Sequence, residues 1–309
     1  MKKIMAIMLS VILLFCISGC KNDEETVKAK VLIGSGYMGD TGGEGEDIGT
    51  QNEILELGKD FSESFEQYEK KGEVKTVNLF NSEIETKFNR VDRYDISRTI
   101  RIIYKPDGNT TEAYGFDAET GKLICFLFPI SDDGSYIFPE GYKVKTTPGN
   151  FEEIGNDTQE ILTKYVDETI DLKDFKMSYN MVPDEDGGFF QILYIKYINN
   201  VKAQFVEISA DKYGNIYLFM AEDHTDNGKV EVPDLADEVY IDGAKEHIEE
   251  FYKDNENIVE VKDYMVTYKT LVYLPMVDSD AIDYGVDYTL VYKDGTERKT
   301  GNQFYYLFD

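Results

Sequence analysis

Apolar residues recur along the chain in two alternating rhythms. Ile54, Leu57, Phe61, Phe65 and Tyr68 fall three or four apart and predict one face of a helix that ends at Gly72. A second helical stripe, Ile161, Leu162, Tyr165, Val166 and Ile170, opens at Asp157 with Glu160 three residues on, a capping-box start. A third begins near Asp242 and carries Ala244, Ile248, Phe251 and Tyr252. Helices this short persist only when packed on something else. Between them the apolar residues gather into short β-branched and aromatic runs closed by turn residues. Ile100 to Lys105 leads through Pro106-Asp107-Gly108-Asn109 to a strand over Tyr114 and Phe116; Asp117-Ala118-Glu119-Thr120-Gly121 then turns into Lys122 to Phe128. The pattern returns as Phe189 to Ile198, Asn199-Asn200, Ala203 to Ser209, a turn ending at Gly214, and Asn215 to Met220. It returns again as Asp263 to Leu274, Asp287 to Tyr292, the turn Lys293-Asp294-Gly295 and a last strand ending near Phe308. Connections this short join antiparallel neighbours, because a parallel crossover needs about a dozen residues or more. The expected fold class is therefore α+β: two or three tandem units over 51–150, 151–235 and 236–309, each a helix packed on an antiparallel meander.

The first residues carry a different signal. Lys2 and Lys3 precede Ile4 to Phe15, apolar except for Ser10, a run of signal-peptide length that is short for a membrane span. It closes in Ile17-Ser18-Gly19-Cys20, which resembles the lipobox of bacterial lipoproteins. The resemblance implies a signal peptide over 1–19 and diacylglycerol on the Cys20 thiol. It places the mature chain on the outer face of the cytoplasmic membrane, held by acyl chains. Residues 20–50 read as a tether: seven glycines lie between Gly34 and Gly49 among acidic residues, too little apolar surface to offset ordering.

Phe116-Asp117-Ala118-Glu119-Thr120-Gly121-Lys122-Leu123 resembles the closing hairpin of PepSY-type domains, and Ala210-Asp211-Lys212-Tyr213-Gly214-Asn215-Ile216 is a weaker copy. Those domains are small α+β units of peptidase propeptides and envelope proteins. The resemblance implies PepSY- or cystatin-like units and a protein or peptide partner, with a secreted peptidase first among them.

Composition narrows the chemistry. A formal charge of −28 over 309 residues repels nucleic acid, so no nucleic-acid partner is expected. Once Cys16 leaves with the signal and Cys20 is lipidated, Cys125 stands alone inside an apolar run and reads as a small buried hydrophobe. Gly34-Ser35-Gly36-Tyr37-Met38-Gly39 spells a dinucleotide fingerprint, but Asp40-Thr41-Gly42-Gly43-Glu44 follows where a helix should open onto phosphate. Asp40-Thr41-Gly42 lacks the second aspartate an aspartic peptidase needs. The clusters Asp184-Glu185-Asp186 and Asp278, Asp280, Asp283, Asp287 do not fit a calcium loop and read as solvated turns. His224 and His247 have no metal-ligand spacing, so no cofactor, metal or catalytic residue is expected. What remains is aromatic. Tyr194, Tyr197, Tyr217, Tyr268 and Tyr273 fall on predicted strands and are the candidates for a recognition face. The expectation is a non-enzymatic, lipid-anchored binding protein; a transporter's solute-binding lipoprotein is the second reading and an envelope hydrolase the third.

Overall fold

A computed structural model describes residues 30–33, 63–93, 97–107, 111–131, 134–182, 188–274 and 278–308. Half of these residues are strand and 17% are helix. The chain divides into two compact units, residues 62–198 with 202–230, and residues 1–61 with 199–201 and 231–309.

The larger unit is one antiparallel sheet. Its strands are β2 (Val74–Leu79), β3 (Ser82–Arg93), β4 (Ile100–Lys105), β5 (Ala113–Asp117), β6 (Leu123–Leu127), β7 (Lys176–Val182), β8 (Phe189–Ile198), β9 (Val201–Asp211) and β10 (Ile216–Asp223), in the order β2-β3-β4-β5-β6-β10-β9-β8-β7. Two-residue turns at Phe80-Asn81 and Asn199-Asn200 hold both central residues at positive φ, the geometry that matches the twist of paired strands. Helix α1 (Phe151–Ile161) buries Ile154, Thr158 and Ile161. Its N-cap is Asn150, whose side-chain oxygen accepts from the Glu153 amide, a contact worth about 1 kcal/mol. The helix widens into a π turn over Leu162–Val166. A buried amide fixes the preceding loop: Asn215 accepts from Lys145 N at 2.7 Å and donates to Lys145 O at 3.0 Å. Gly149 lies so close to the β9–β10 turn that a Cβ there would sit 2.6–2.8 Å from the Tyr213-Gly214 backbone.

The smaller unit orders β1 (Lys30–Ile33), β13 (Glu297–Phe308), β12 (Ser279–Tyr292) and β11 (Ile258–Leu274) side by side and antiparallel. Helix α2 (Asp237–Tyr252) buries Tyr240, Ala244, Ile248 and Tyr252. The Tyr240 ring lies 5.0 Å from that of Tyr284, and the Tyr252 hydroxyl is 3.3 Å from that of Tyr288, which in turn donates to Asn302.

This architecture corrects the expected fold. The tandem α+β units of PepSY or cystatin type, each with its own helix on its own meander, are overturned by the pairing of β6 with β10. Leu127, Phe126 and Cys125 stand opposite Leu218, Phe219 and Met220, so strands assigned to separate units over 51–150 and 151–235 share one sheet. Among the described residues α1 is the one α-helix of that sheet, and it starts at Phe151 rather than Asp157. Of the helix expected over 54–68, the described part is the 3-10 turn Glu63–Tyr68. Local periodicity predicts a hairpin well, but an apolar edge left by one hairpin pairs with whatever strand completes the burial, and that choice is long-range. Lys30–Ile33, inside the segment read as tether, is strand β1; Cys20, the signal segment and the two glycine motifs of 34–42 lie outside the described residues.

The core of the larger unit lies between sheet and α1. Phe126 stacks on Phe128 at 4.8 Å and on Phe219 at 5.5 Å, and Phe80 meets Phe126, Tyr142 and Tyr165 edge-on. Across the other face runs a polar row. The Arg101 guanidinium reaches over β5 and β6 to the Met220 sulfur at 3.5 Å while pairing with Asp92 at 3.3 Å. The bare backbone of Gly115 admits the Cys125 thiol: a Cβ at 115 would overlap Sγ and approach Ile103 Cδ1 to 3.0 Å. Gly115→Ala is therefore expected to cost about 1–3 kcal/mol through overpacking. Adding Cys125→Ala should recover a large part of that loss in a thermal or urea double-mutant cycle. Additive losses would show that the two positions do not compete for this space.

Candidate functional site

A cleft of about 750 Å³ lies wholly in the larger unit, where three connections converge. The antiparallel register of β6 and β10 brings them together, because the start of β6 is the neighbour of the end of β10. Each connection is built on an aspartate that folds its own turn. Asp117 Oδ1 accepts from Glu119 N at 2.9 Å, Thr120 N at 2.6 Å and Thr120 Oγ1 at 2.9 Å, and Gly121 completes the turn at φ +69°. Asp167 Oδ1 accepts from Thr169 N and Oγ1 at 2.9 and 2.6 Å, after the π turn. Asp223 Oδ1 does the same with Thr225 at 2.9 and 2.6 Å, and Thr225 Oγ1 accepts from Gly228 N at 3.0 Å.

Two lysines fasten the walls. Lys122 pairs with Asp167, joining the β5–β6 turn to the segment after α1. Lys229 pairs with Glu119 at 3.0 Å and Asp226 at 3.2 Å, joining that turn to the loop after β10. Asp117, Glu119, Asp167, Glu222 and Asp223 thus line the cleft against Lys122 and Lys229 alone, and both lysines are already engaged. The floor is apolar, with Val166, Val206 and Ala221 buried and Phe175 and Phe205 at the sides. At the inner wall Glu222 Oε2 lies 3.1 Å from Nε2 of buried His224, whose ring packs 4.9 Å from Phe205; Glu222 Oε1 is enclosed without a hydrogen-bond partner.

The electrostatics follow from these contacts. The Lys122 ammonium, then the Thr169 hydroxyl and amide, hold the Asp167 carboxyl down at about 2. Burial, and then the Glu222 carboxylate, push Glu207 on β9 above the ordinary range. Burial raises the Cys125 thiol, against a smaller lowering by Arg101. The arrangement provides fixed negative charge over an apolar floor. Among the described residues no group of three or more His, Cys, Asp or Glu is placed to hold a metal ion.

No protein-family model, curated protein or solved structure matches this chain.

The structure does not bring the five tyrosine candidates to one face. Tyr194 and Tyr217 are buried in the core of the larger unit, Tyr217 stacked on Tyr136 at 3.6 Å. Tyr197 is half-buried, with Lys176 Nζ 4.6 Å from its ring centroid. In the smaller unit, half-buried Tyr268 donates to Asp283 at 3.1 Å, and buried Tyr273 donates to Asp278 at 2.6 Å. Cys20 and the cluster Asp184-Glu185-Asp186 lie outside the described residues. His247 is packed near Phe304, and burial lowers its imidazole. The cleft was missed in the sequence, although it carries a signal there: Asp followed two or three residues on by Thr, at 117–120, 167–169 and 223–225. Each copy alone is a solvated turn, and only their convergence makes a site.

Two pH-dependent outcomes follow. Asp167 sits below its ordinary value of 3.8, so the stability it contributes is complete above that value and is lost as pH falls toward about 2. Lys122→Met removes the largest cause. Denaturation at pH 7, 4 and 2.5 should find the variant less stable at neutral pH and losing less than the parent between pH 4 and 2.5; equal losses would sink the assignment. Glu207 carries the opposite sign. Its raised value means that the folded state holds the proton more tightly, so stability declines as pH rises through and above 4.5. Glu207→Gln should raise Tm at pH 7, with the gain fading below pH 4; a lower Tm at neutral pH would contradict it.

Proposed function

We propose that the protein is a lipid-anchored binding protein on the outer face of the cytoplasmic membrane, and that its cleft takes a lysine- or arginine-bearing segment of a protein or peptide. The observation that carries this is the charge imbalance of the cleft, five carboxylates against two lysines that are both consumed by its own walls. Asp117 and Asp223 each use one oxygen on a turn, and Glu222 uses one on His224. The second oxygens of Asp117 and Asp223 are acceptors that a cationic head group satisfies, while the floor between Val206 and Phe175 suits an aliphatic stem. A chain of charge −28 adds long-range attraction for such a partner. The Ile17-Ser18-Gly19-Cys20 signature supports the anchor.

The full chain should bind short lysine-rich peptides with an affinity that falls as salt is raised, measured by calorimetry. Glu119→Gln combined with Glu222→Gln should weaken binding about tenfold or more, on the scale of one lost charge-assisted contact. Glu238→Gln, outside the cleft on α2, should leave it unchanged. Equal binding by all three chains would overturn the assignment of the cleft. Stabilisation by small free solutes alone would transfer the reading to a transporter-associated receptor.

A further inference from the structure

Strand β1 determines where an anchor at Cys20 meets the folded chain. Lys30 stands opposite Leu307 and Ile33 opposite Phe304, so the chain joins the smaller sheet at the end where β13 finishes. β11 also finishes there, at Leu274, and β12 starts there, at Ser279. The opposite end holds the Asp294-Gly295 turn between β12 and β13.

We propose that this first end, marked by Leu274, Ser279 and Leu307, is the surface of the smaller unit that faces the phospholipid headgroup layer. The proposal rests on the lipid-anchor reading of Cys20. It is carried by lengths. From Cys20 to Lys30 is ten residue steps, a reach of at most about 33–36 Å when fully drawn out. From Leu307 back to Glu297 is another ten steps, about 33 Å at the rise of a strand. The far end therefore meets the bilayer only if the linker lies fully extended along the whole sheet with no slack. The near end meets it at any linker extension. Charge sets the stand-off: Asp278 and Asp280 give the near end negative charge, which repels anionic headgroups. The surface thus lies beside the headgroups, held by the linker, without binding them.

The test uses the full chain, lipidated at Cys20, in phosphatidylcholine vesicles that carry a lipid-linked energy acceptor. A fluorescent amino acid is placed at position 280 in one preparation and at position 294 in another. Each replaces an aspartate, so the charge change is the same. Transfer to the bilayer should be at least twofold stronger from 280. Equal transfer, or stronger transfer from 294, in chains that still float with the vesicles would overturn the orientation and leave the anchor reading standing. Val31→Pro with Leu32→Pro removes β1 backbone donors and with them the pairing to β13 that fixes where the linker joins the sheet. Vesicle binding should persist and the difference between 280 and 294 should vanish; a difference that persists would overturn the role given to β1. Cys20→Ser should release the chain from the vesicles. A Cys20→Ser chain that still floats would overturn the anchor reading, and this proposal with it.

Discussion

The pairing of β6 with β10 is the constraint on which the larger unit depends. Its three opposed pairs, with Phe126 stacked on Phe219, join segments some ninety residues apart in the chain. Without it β6 would leave an apolar edge, Leu123 to Leu127, with no partner, and β10 another. Unpaired apolar edges are the places where sheets aggregate, so closing both at once removes two liabilities along with adding a ladder. Burying one phenylalanine contributes about 1.5–3 kcal/mol, and Phe126, Phe128 and Phe219 are all fully enclosed around this seam. The same register brings the β5–β6 turn beside the exit of β10. The cleft is thus a consequence of the seam.

Only part of this was legible in the sequence. β4 and β8 have the bounds that their β-branched and aromatic runs predict, Ile100 to Lys105 and Phe189 to Ile198, because both are half-buried strands bounded by strong turn residues. β3 was illegible for the opposite reason. Polar or charged residues occupy nine of its twelve positions, Glu83, Glu85, Lys87, Asn89 and Arg90 among them, and only Thr86 is fully buried. Its membership in the sheet comes from ladder hydrogen bonds to β2 and β4, which leave no compositional trace. α1 starts six residues before the expected capping box because Asn150 caps it and the Gly149 approach to the β9–β10 turn sets its entry; a spacing rule sees neither. Strand tyrosines do not by themselves mark a surface. Of the five candidates Tyr194, Tyr217 and Tyr273 are buried while Tyr197 and Tyr268 are half-buried, so aromatic bulk here also fills core in a chain that has no tryptophan.

The cleft illustrates how a strongly acidic chain can gather carboxylates without unfolding itself. Self-repulsion among Asp117, Asp167 and Asp223 would be destabilising if each stood free. Instead each accepts from the threonine and backbone amides of its own turn, so its negative charge is locally compensated by donors that the turn itself places. The two lysines then link turns that are remote in sequence, Lys122 to Asp167 and Lys229 to Glu119, where exposed pairs are individually weak but shared geometry lowers the ordering cost. Glu222 is the exception. One of its oxygens is enclosed and unmatched, a cost of the kind that buried polar groups rarely carry without a reason. A cation arriving in the cleft would offset the remaining repulsion among the carboxylates. The more the turns have pre-paid for holding the carboxylates apart, the less reorganisation such binding demands. Three small Asp–Thr turns, each ordinary alone, thus let one side of an acidic chain gather carboxylates whose positions are set by the backbone.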